Sequence, residues 1–258
     1  MGMKVAVVQH DIVWADRDAN FAALTPSIAQ AVHNGAELIV LSEMFSTGFV
    51  VDRDDIGEHL GGPSSQFLSR MAREHNVFIC GSCPEIQQDD PRPFNSLVVA
   101  HPDGSCDRYS KIHPFTYGGE DKHFRAGDSF VTISVNGIRL SLFVCYDLRF
   151  ANEFWEVAHE TDAYIIPANW PESRRAHWIA LLTSRAIENQ AYVIGCNRIG
   201  NGGNLNYVGD SRIIDPLGAV LADAGSESTI IYADINAETV RSVREKFPFL
   251  QDRRNLIK

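Results

Sequence analysis

Three polar residues stand at places in the chain where side chains can meet a substrate. Cys145 closes the apolar run RLSLFVC and is followed by Tyr-Asp-Leu-Arg-Phe and a helical stretch, ANEFWEVAHE. A thiol at a strand-to-helix turn faces the N–H groups that open the helix. Those groups stabilise a thiolate and can form an oxyanion hole, the equipment of nucleophilic catalysis at a carbonyl. Taken alone, however, a cysteine there is more often buried core. Glu43 ends ELIVLSE, where a carboxylate after four apolar residues is awkward to pack unless it reaches solvent. Lys111, in YSKIHPF between two strands, reads by itself as a surface lysine.

Other chemistries find little support. The pair Cys80-Gly-Ser-Cys83 is a lone CxxC. It ends a strand and precedes Pro84, whereas a redox pair opens a helix whose dipole lowers the thiol pKa. Two small residues at a strand end is the stronger reading. HExxH, paired CxxC, GxSxG and Walker A motifs are all missing, so neither a metal nor a cofactor is expected. The glycine-rich stretch Gly200–Asn206 lacks a strand–GxGxxG–helix context and reads as a loop.

These residues must be held by a scaffold of alternating elements. Apolar runs at 4–9, 37–43, 77–82, 96–101, 130–135 and 138–145 read as strands, with Asn136-Gly137 as a hairpin turn. Phe21, Leu24, Ile28 and Val32 mark an amphipathic helix that Gly35 stops, and residues 64–75 form a second. In the second half, 163–168, 192–197, 211–214, 219–222 and 229–235 read as strands. Helices are expected over about 173–190 and 237–246. A dozen strands exceed what one open sheet holds comfortably, so two packed sheets covered by helices are expected, in one α/β domain spanning 1–258.

Composition sets outer bounds. The 258 residues carry a net charge of −10 with no basic run, which argues against nucleic acid. Hydrophobic residues make up 45%, yet no apolar run approaches the roughly 18 residues of a membrane span. Val5–Val8 is too short for a signal-peptide core, and five free cysteines fit a reducing cytosol, so a cytoplasmic location is expected.

Taken together, LSEMFSTGF around Glu43, YSKIHPF around Lys111 and FVCYDLRF around Cys145 resemble the nitrilase superfamily, the carbon–nitrogen hydrolases, in order and context. GGEDKHFRAGD, PANWP, SRAIENQAYVIGCNRIG and GDSRIIDPLG extend the resemblance over nearly the whole chain. It implies a four-layer α-β-β-α sandwich. Tyr146-Asp147 after the cysteine, rather than the Trp-Glu of true nitrilases, resembles the amidase branches, and the omega-amidases most. Those hydrolyse 2-oxoglutaramate and 2-oxosuccinamate, whereas related branches cleave deaminated glutathione or N-carbamoyl compounds. A silent binding module on the same fold is the remote alternative.

The resemblance also implies roles. Cys145 would be the nucleophile, Glu43 the general base, and Lys111 with the Tyr146 backbone N–H the oxyanion donors. Glu120 of GGED would be a second glutamate beside them, with Asp121 its competitor. Arg149, one helical turn after Cys145, would hold the substrate carboxylate unless it pairs with Glu153. Trp170 would wall the pocket, with Arg174 and His177 as further candidates. A homodimer is implied, packed through the helix after Cys145 and the 173–190 helix, where Trp155, Trp178, Leu181 and Leu182 offer apolar surface or equally pack internally. The tail from about 247 would cross to the partner or fray.

Overall fold

The computed structural model describes residues 2–87 and 90–254. The first half of the chain contributes β1 (Met3–Gln9), α1 (Arg17–His33), β2 (Leu38–Val40), β3 (Glu58–His59), α2 (Pro63–His75), β4 (Phe78–Ile86), β5 (Phe94–Ala100), β6 (Cys106–Ser110) and the one-turn α3 (Glu120–His123). The second half contributes β7 (Thr132–Val135), β8 (Ile138–Leu142), α4 (Ala151–Val157), β9 (Ala163–Ala168), α5 (Arg175–Asn189), β10 (Tyr192–Asn197), β11 (Ile199–Gly202), β12 (Leu205–Val208), β13 (Arg212–Ile214), β14 (Val220–Asp223), β15 (Thr229–Ile235) and α6 (Ala237–Lys246).

Two mixed sheets result. One has the order β15-β1-β2-β4-β5-β6, with β3 beside β4; the other runs β14-β13-β10-β9-β8-β7. Each has a parallel centre, β1-β2-β4 in the first and β8-β9-β10 in the second, flanked by antiparallel strands. β1 pairs with β15 over its whole length, from Met3 opposite Ile235 to Gln9 opposite Thr229.

The continuous apolar runs follow from burial on both faces. Val5, Val7, Leu38 and Val40 join the core between the sheets, while Ala6, Val8, Ile39 and Leu41 pack outward under α1 and α2. Leu24 and Ile28 of α1 and Phe67, Leu68 and Met71 of α2 cover that outer face. Phe154 of α4 and Trp178, Leu182 and Ala186 of α5 cover the second sheet. At Gly195 of β10 the helix lies so close that an added Cβ would sit 2.8 Å from Leu182. The Cys196 thiol donates across the sandwich to the backbone oxygens of Val8 and Val40, at 3.5 Å each. The Asn136-Gly137 turn between β7 and β8 has both residues at positive φ, 49° and 79°, as a two-residue hairpin requires.

Several expectations need correction. The strand expected over 37–43 is regular only at Leu38–Val40, so Glu43 lies in a turn beyond its end. Cys80 and Cys83 lie inside β4 rather than at its end. Their side chains join cores on opposite faces of the sheet, and burial raises both thiols' pKa, so they do not form a redox pair. The expected glycine-rich loop is a two-stranded ribbon, β11–β12. Of the residues read as either interface or internal packing, Trp178 and Leu182 are internal, because α5 turns them onto β10. Trp155 is 40% exposed beneath the Arg253 guanidinium, 3.8 Å above its ring. Of the two expectations for the tail, it is fraying that residues 247–254 do not show, with Leu250 buried and Arg253 donating to the backbone oxygens of Trp155 and Glu188. The last four residues of the tail lie outside the described residues.

Candidate active site

In an open α/β sheet, functional groups gather beyond the carboxyl ends of the strands. Glu43 follows β2 by three residues, and Cys145 follows β8 by three. Lys111 comes directly after β6 and Asn169 directly after β9. Both sheets therefore feed one site.

Its floor is a buried ion cluster. Lys111 Nζ donates to Glu43 Oε1 at 3.0 Å and to Glu120 Oε2 at 2.8 Å. Asn95 Nδ2 donates to Glu43 Oε1 at 2.8 Å and to Glu120 Oε1 at 3.0 Å. The backbone N–H of Asn169 donates to Glu43 Oε2 at 2.8 Å, and that of Phe115 to Glu120 Oε2 at 2.6 Å. Lys111, Glu43 and Glu120 are each no more than 1% exposed. Burial pulls the Lys111 ammonium down, but the Glu120 and Glu43 carboxylates outweigh it and hold the pKa above the usual lysine range. Burial pushes Glu120 up, partly offset by Lys111. Asp121 points to solvent, so of the two acids in GGED it is Glu120 that meets the cluster.

Cys145 sits beside this cluster at a φ of 45°, a left-handed conformation unusual for a side chain with a Cβ. It opens a 3₁₀ turn, Cys145–Arg149, whose first N–H groups have no partner inside the turn. The turn is braced by buried Asp147. Its carboxylate accepts from Tyr109 Oη at 2.8 Å, from Val144 N at 3.0 Å and from His113 N at 2.9 Å. Burial raises the Cys145 thiol pKa well above its usual value. The Glu43 charge adds to the rise, and Lys111 and the Asn169 N–H oppose it. At rest the group is therefore a thiol.

Above the floor opens a cavity of about 330 Å³. Glu43, Cys145, Tyr146, Arg149, Trp170 and Arg174 line it, with Phe115, Tyr117 and ribbon residues Leu205 and Tyr207 at its walls. The Arg149 guanidinium lies 4.8 Å from the Trp170 ring, and that of Arg174 5.2 Å from Phe115. The alternative pairing of Arg149 with Glu153 is not made, because Glu153 faces His113 Nε2 at 3.5 Å. His177, expected among the pocket residues, lies on exposed α5 and accepts from Arg149 Nη2 at 3.2 Å, outside the cavity lining.

Sequence reasoning missed Asn95, Asn169 and Asp147. Asn169 stood in the quoted PANWP and Asp147 in FVCYDLRF, but neither segment says what the side chain touches. Among the described residues no group of three or more His, Cys, Asp or Glu could hold a metal, and no helix is long and apolar enough to cross a membrane.

A cysteine in a strained turn beside a buried Glu–Lys–Glu cluster, on a sandwich of two helix-covered sheets, defines a class of hydrolase. The chain belongs to the carbon-nitrogen hydrolase family, whose profile matches residues 4–245. It is 37% identical to the omega-amidase YafV of Escherichia coli, over 97% of this chain and 96% of that protein. It is 33% identical to the 2-oxoglutaramate amidase of Bacillus subtilis, over 84% and 85% of the two chains. A CN-hydrolase superfamily protein from Xanthomonas campestris has the same fold, with a TM-score of 0.94 at 30% identity, covering 100% of this chain and 99% of that one.

Proposed function

We propose that the chain is an omega-amidase, hydrolysing 2-oxoglutaramate and 2-oxosuccinamate to the 2-oxo dicarboxylate and ammonia through a thioester. One observation carries the reading. A thiol and a buried glutamate form the floor of a small cavity, and its wall holds two guanidiniums, Arg149 and Arg174, with no carboxylate partner among the described residues. An amide at one end and a carboxylate at the other fit those groups. The likeness to omega-amidases over nearly the full chain supports the same substrate class.

The chemistry follows from the protonation states. An ordinary thiol of pKa near 8.5 is about 3% ionised at pH 7, and Cys145 is ionised less than that. Attack therefore needs a base. Cys145 Sγ bonds to the amide carbon as its proton passes to Glu43, and the carbonyl electron pair moves onto oxygen. Lys111 Nζ–H and the Tyr146 backbone N–H hold that oxyanion. Collapse breaks the C–N bond while Glu43 returns the proton to nitrogen, and ammonia leaves. Water then attacks the thioester, giving a proton to Glu43. The second collapse releases the acid, and the departing sulfur takes the proton back. Homodimerisation through α4 and α5, where Trp155 and Leu181 remain partly exposed, and a cytoplasmic location accompany this reading.

The test is ammonia release from 2-oxoglutaramate, with glutamine, a nitrile, an N-carbamoyl amino acid and deaminated glutathione in parallel. Turnover of the oxo-amide, reduced more than ~10⁴-fold in a folded Cys145→Ala variant, is expected. Turnover of a different amide alone would keep the mechanism and overturn the substrate.

A further inference from the structure

We propose that Asn95 is a positioning residue that keeps Glu43 and Glu120 ionised and apart around the single ammonium of Lys111. The proposal rests on the amidase reading for its kinetic readout, but not for its chemical one. Asn95 is the second residue of β5 and 1% exposed. Its side-chain nitrogen spans the two carboxylates, 2.8 Å from Glu43 Oε1 and 3.0 Å from Glu120 Oε1. Its backbone oxygen accepts from the Lys111 backbone N–H at 3.0 Å, so one residue grips all three members of the cluster.

The orientation of the amide carries the argument. An amide offers two N–H donors at one end and an acceptor at the other. Here both donors are spent on carboxylates, while the buried Oδ1 has no partner among the described residues. Turned over, the same group would press its oxygen against two anionic oxygens. The observed arrangement is the one that two ionised carboxylates select. Without it, Lys111 would be the only side chain donating to both buried carboxylates, helped by one backbone N–H on each, from Asn169 and Phe115, and like charges that close resist ionising together.

Glu43 must be ionised to accept the Cys145 proton. The charged and titratable groups facing it are Lys111, Glu120, Cys145 and the phenol of Tyr207 on the ribbon. Removing the Asn95 donor makes both carboxylates harder to ionise. The acid limb of activity then moves toward higher pH.

Wild type is compared with two variants, Asn95→Ala and Asn95→Asp. Amide turnover is measured from pH 5 to 9, and alkylation of Cys145 by iodoacetamide is followed on the Cys145 peptide by mass spectrometry. In Asn95→Ala the acid limb is expected to rise by about one pH unit. kcat should fall ~10–100-fold with KM within about threefold, because the residue touches no substrate. Asn95→Asp retains the shape but adds a third carboxylate. It should be nearly inactive at neutral pH and regain activity on acidification, as its protonated form donates again, a trend opposite to wild type. If Asn95→Ala does not fold, that reversed trend carries the test. Limbs unmoved in both variants and both assays would overturn the proposal, leaving Asn95 a packing residue. If no amide is turned over by wild type but the alkylation limb shifts, the amidase reading fails and the role of Asn95 stands.

Discussion

At the floor of the cavity every carboxylate oxygen of Glu43 and Glu120 accepts a hydrogen bond within 3.0 Å from a group that is itself buried. At the mouth, Arg149 and Arg174 rest on aromatic faces, Tyr117 is 87% exposed and Leu205 42%. Most of the floor comes from residues at or just beyond strand ends, which the two sheets fix, with Glu120 added from α3, and the mouth comes from the rest of the 3₁₀ turn after Cys145, a helix start and the tip of a ribbon. The bond-making groups are fully paired before any substrate arrives, whereas the groups that would select it keep free valences. This division lets mouth residues vary without disturbing the buried charges, whose geometry tolerates little change.

The contrast can be broken most strongly at Lys111. Lys111→Met strips two buried carboxylates of their cation. Loss of one buried partner costs about 3–5 kcal/mol of stability, and loss of an oxyanion donor ~10²–10³ in rate. Denaturant unfolding and single-turnover kinetics should therefore both register the change.

A second effect tests the buried side through pH. His10 follows β1 at the same end of the sheet and is buried. Burial lowers its pKa to about 4, aided by Arg198. The folded state thus refuses a proton that the unfolded chain accepts near pH 6.5. The contribution to stability is complete above pH 6.5 and is lost as pH falls toward 4, by about 3 kcal/mol. Urea unfolding of wild type and His10→Leu between pH 7 and pH 4 checks it; the variant should lose that part of the slope.

The smallest effect is expected at the mouth. Arg149→Ala should raise KM ~10–100-fold, the worth of a charged hydrogen bond, with kcat and the unfolding midpoint nearly unchanged. If Arg174→Ala raises KM more, that guanidinium is the one that holds the carboxylate.

The same division separates what the sequence reveals from what it hides. Glu43, Lys111, Cys145 and Glu120 sit in segments whose pattern identifies them, and the hydrophobic runs announce the central strands. Asn95 and Asn169 reach Glu43 from 52 and 126 residues away. Nothing local distinguishes an asparagine that spans two carboxylates from one that meets water. Asp147, next but one to the nucleophile, was in plain view, but its partners Tyr109 and His113 come from the edge strand of the other sheet and the segment just after it. The ribbon escaped because Gly and Asn are poor strand formers by propensity. Backbone pairing from Ile199 opposite Val208 to Gly202 opposite Leu205 forms it regardless. Trp178 and Leu182 stayed open between interface and core because an apolar stripe on a helix does not say whether a sheet or another molecule covers it.

The pairing of β1 with β15 has a consequence for how the molecule is made. β1 leaves the ribosome long before β15, 229–235, which covers its outer edge. Until then an apolar strand offers unpaired N–H and C=O groups to any neighbouring chain. Contacts this distant in sequence slow folding. Nascent chains cut short before Thr229 should therefore aggregate rather than accumulate as a partly active enzyme.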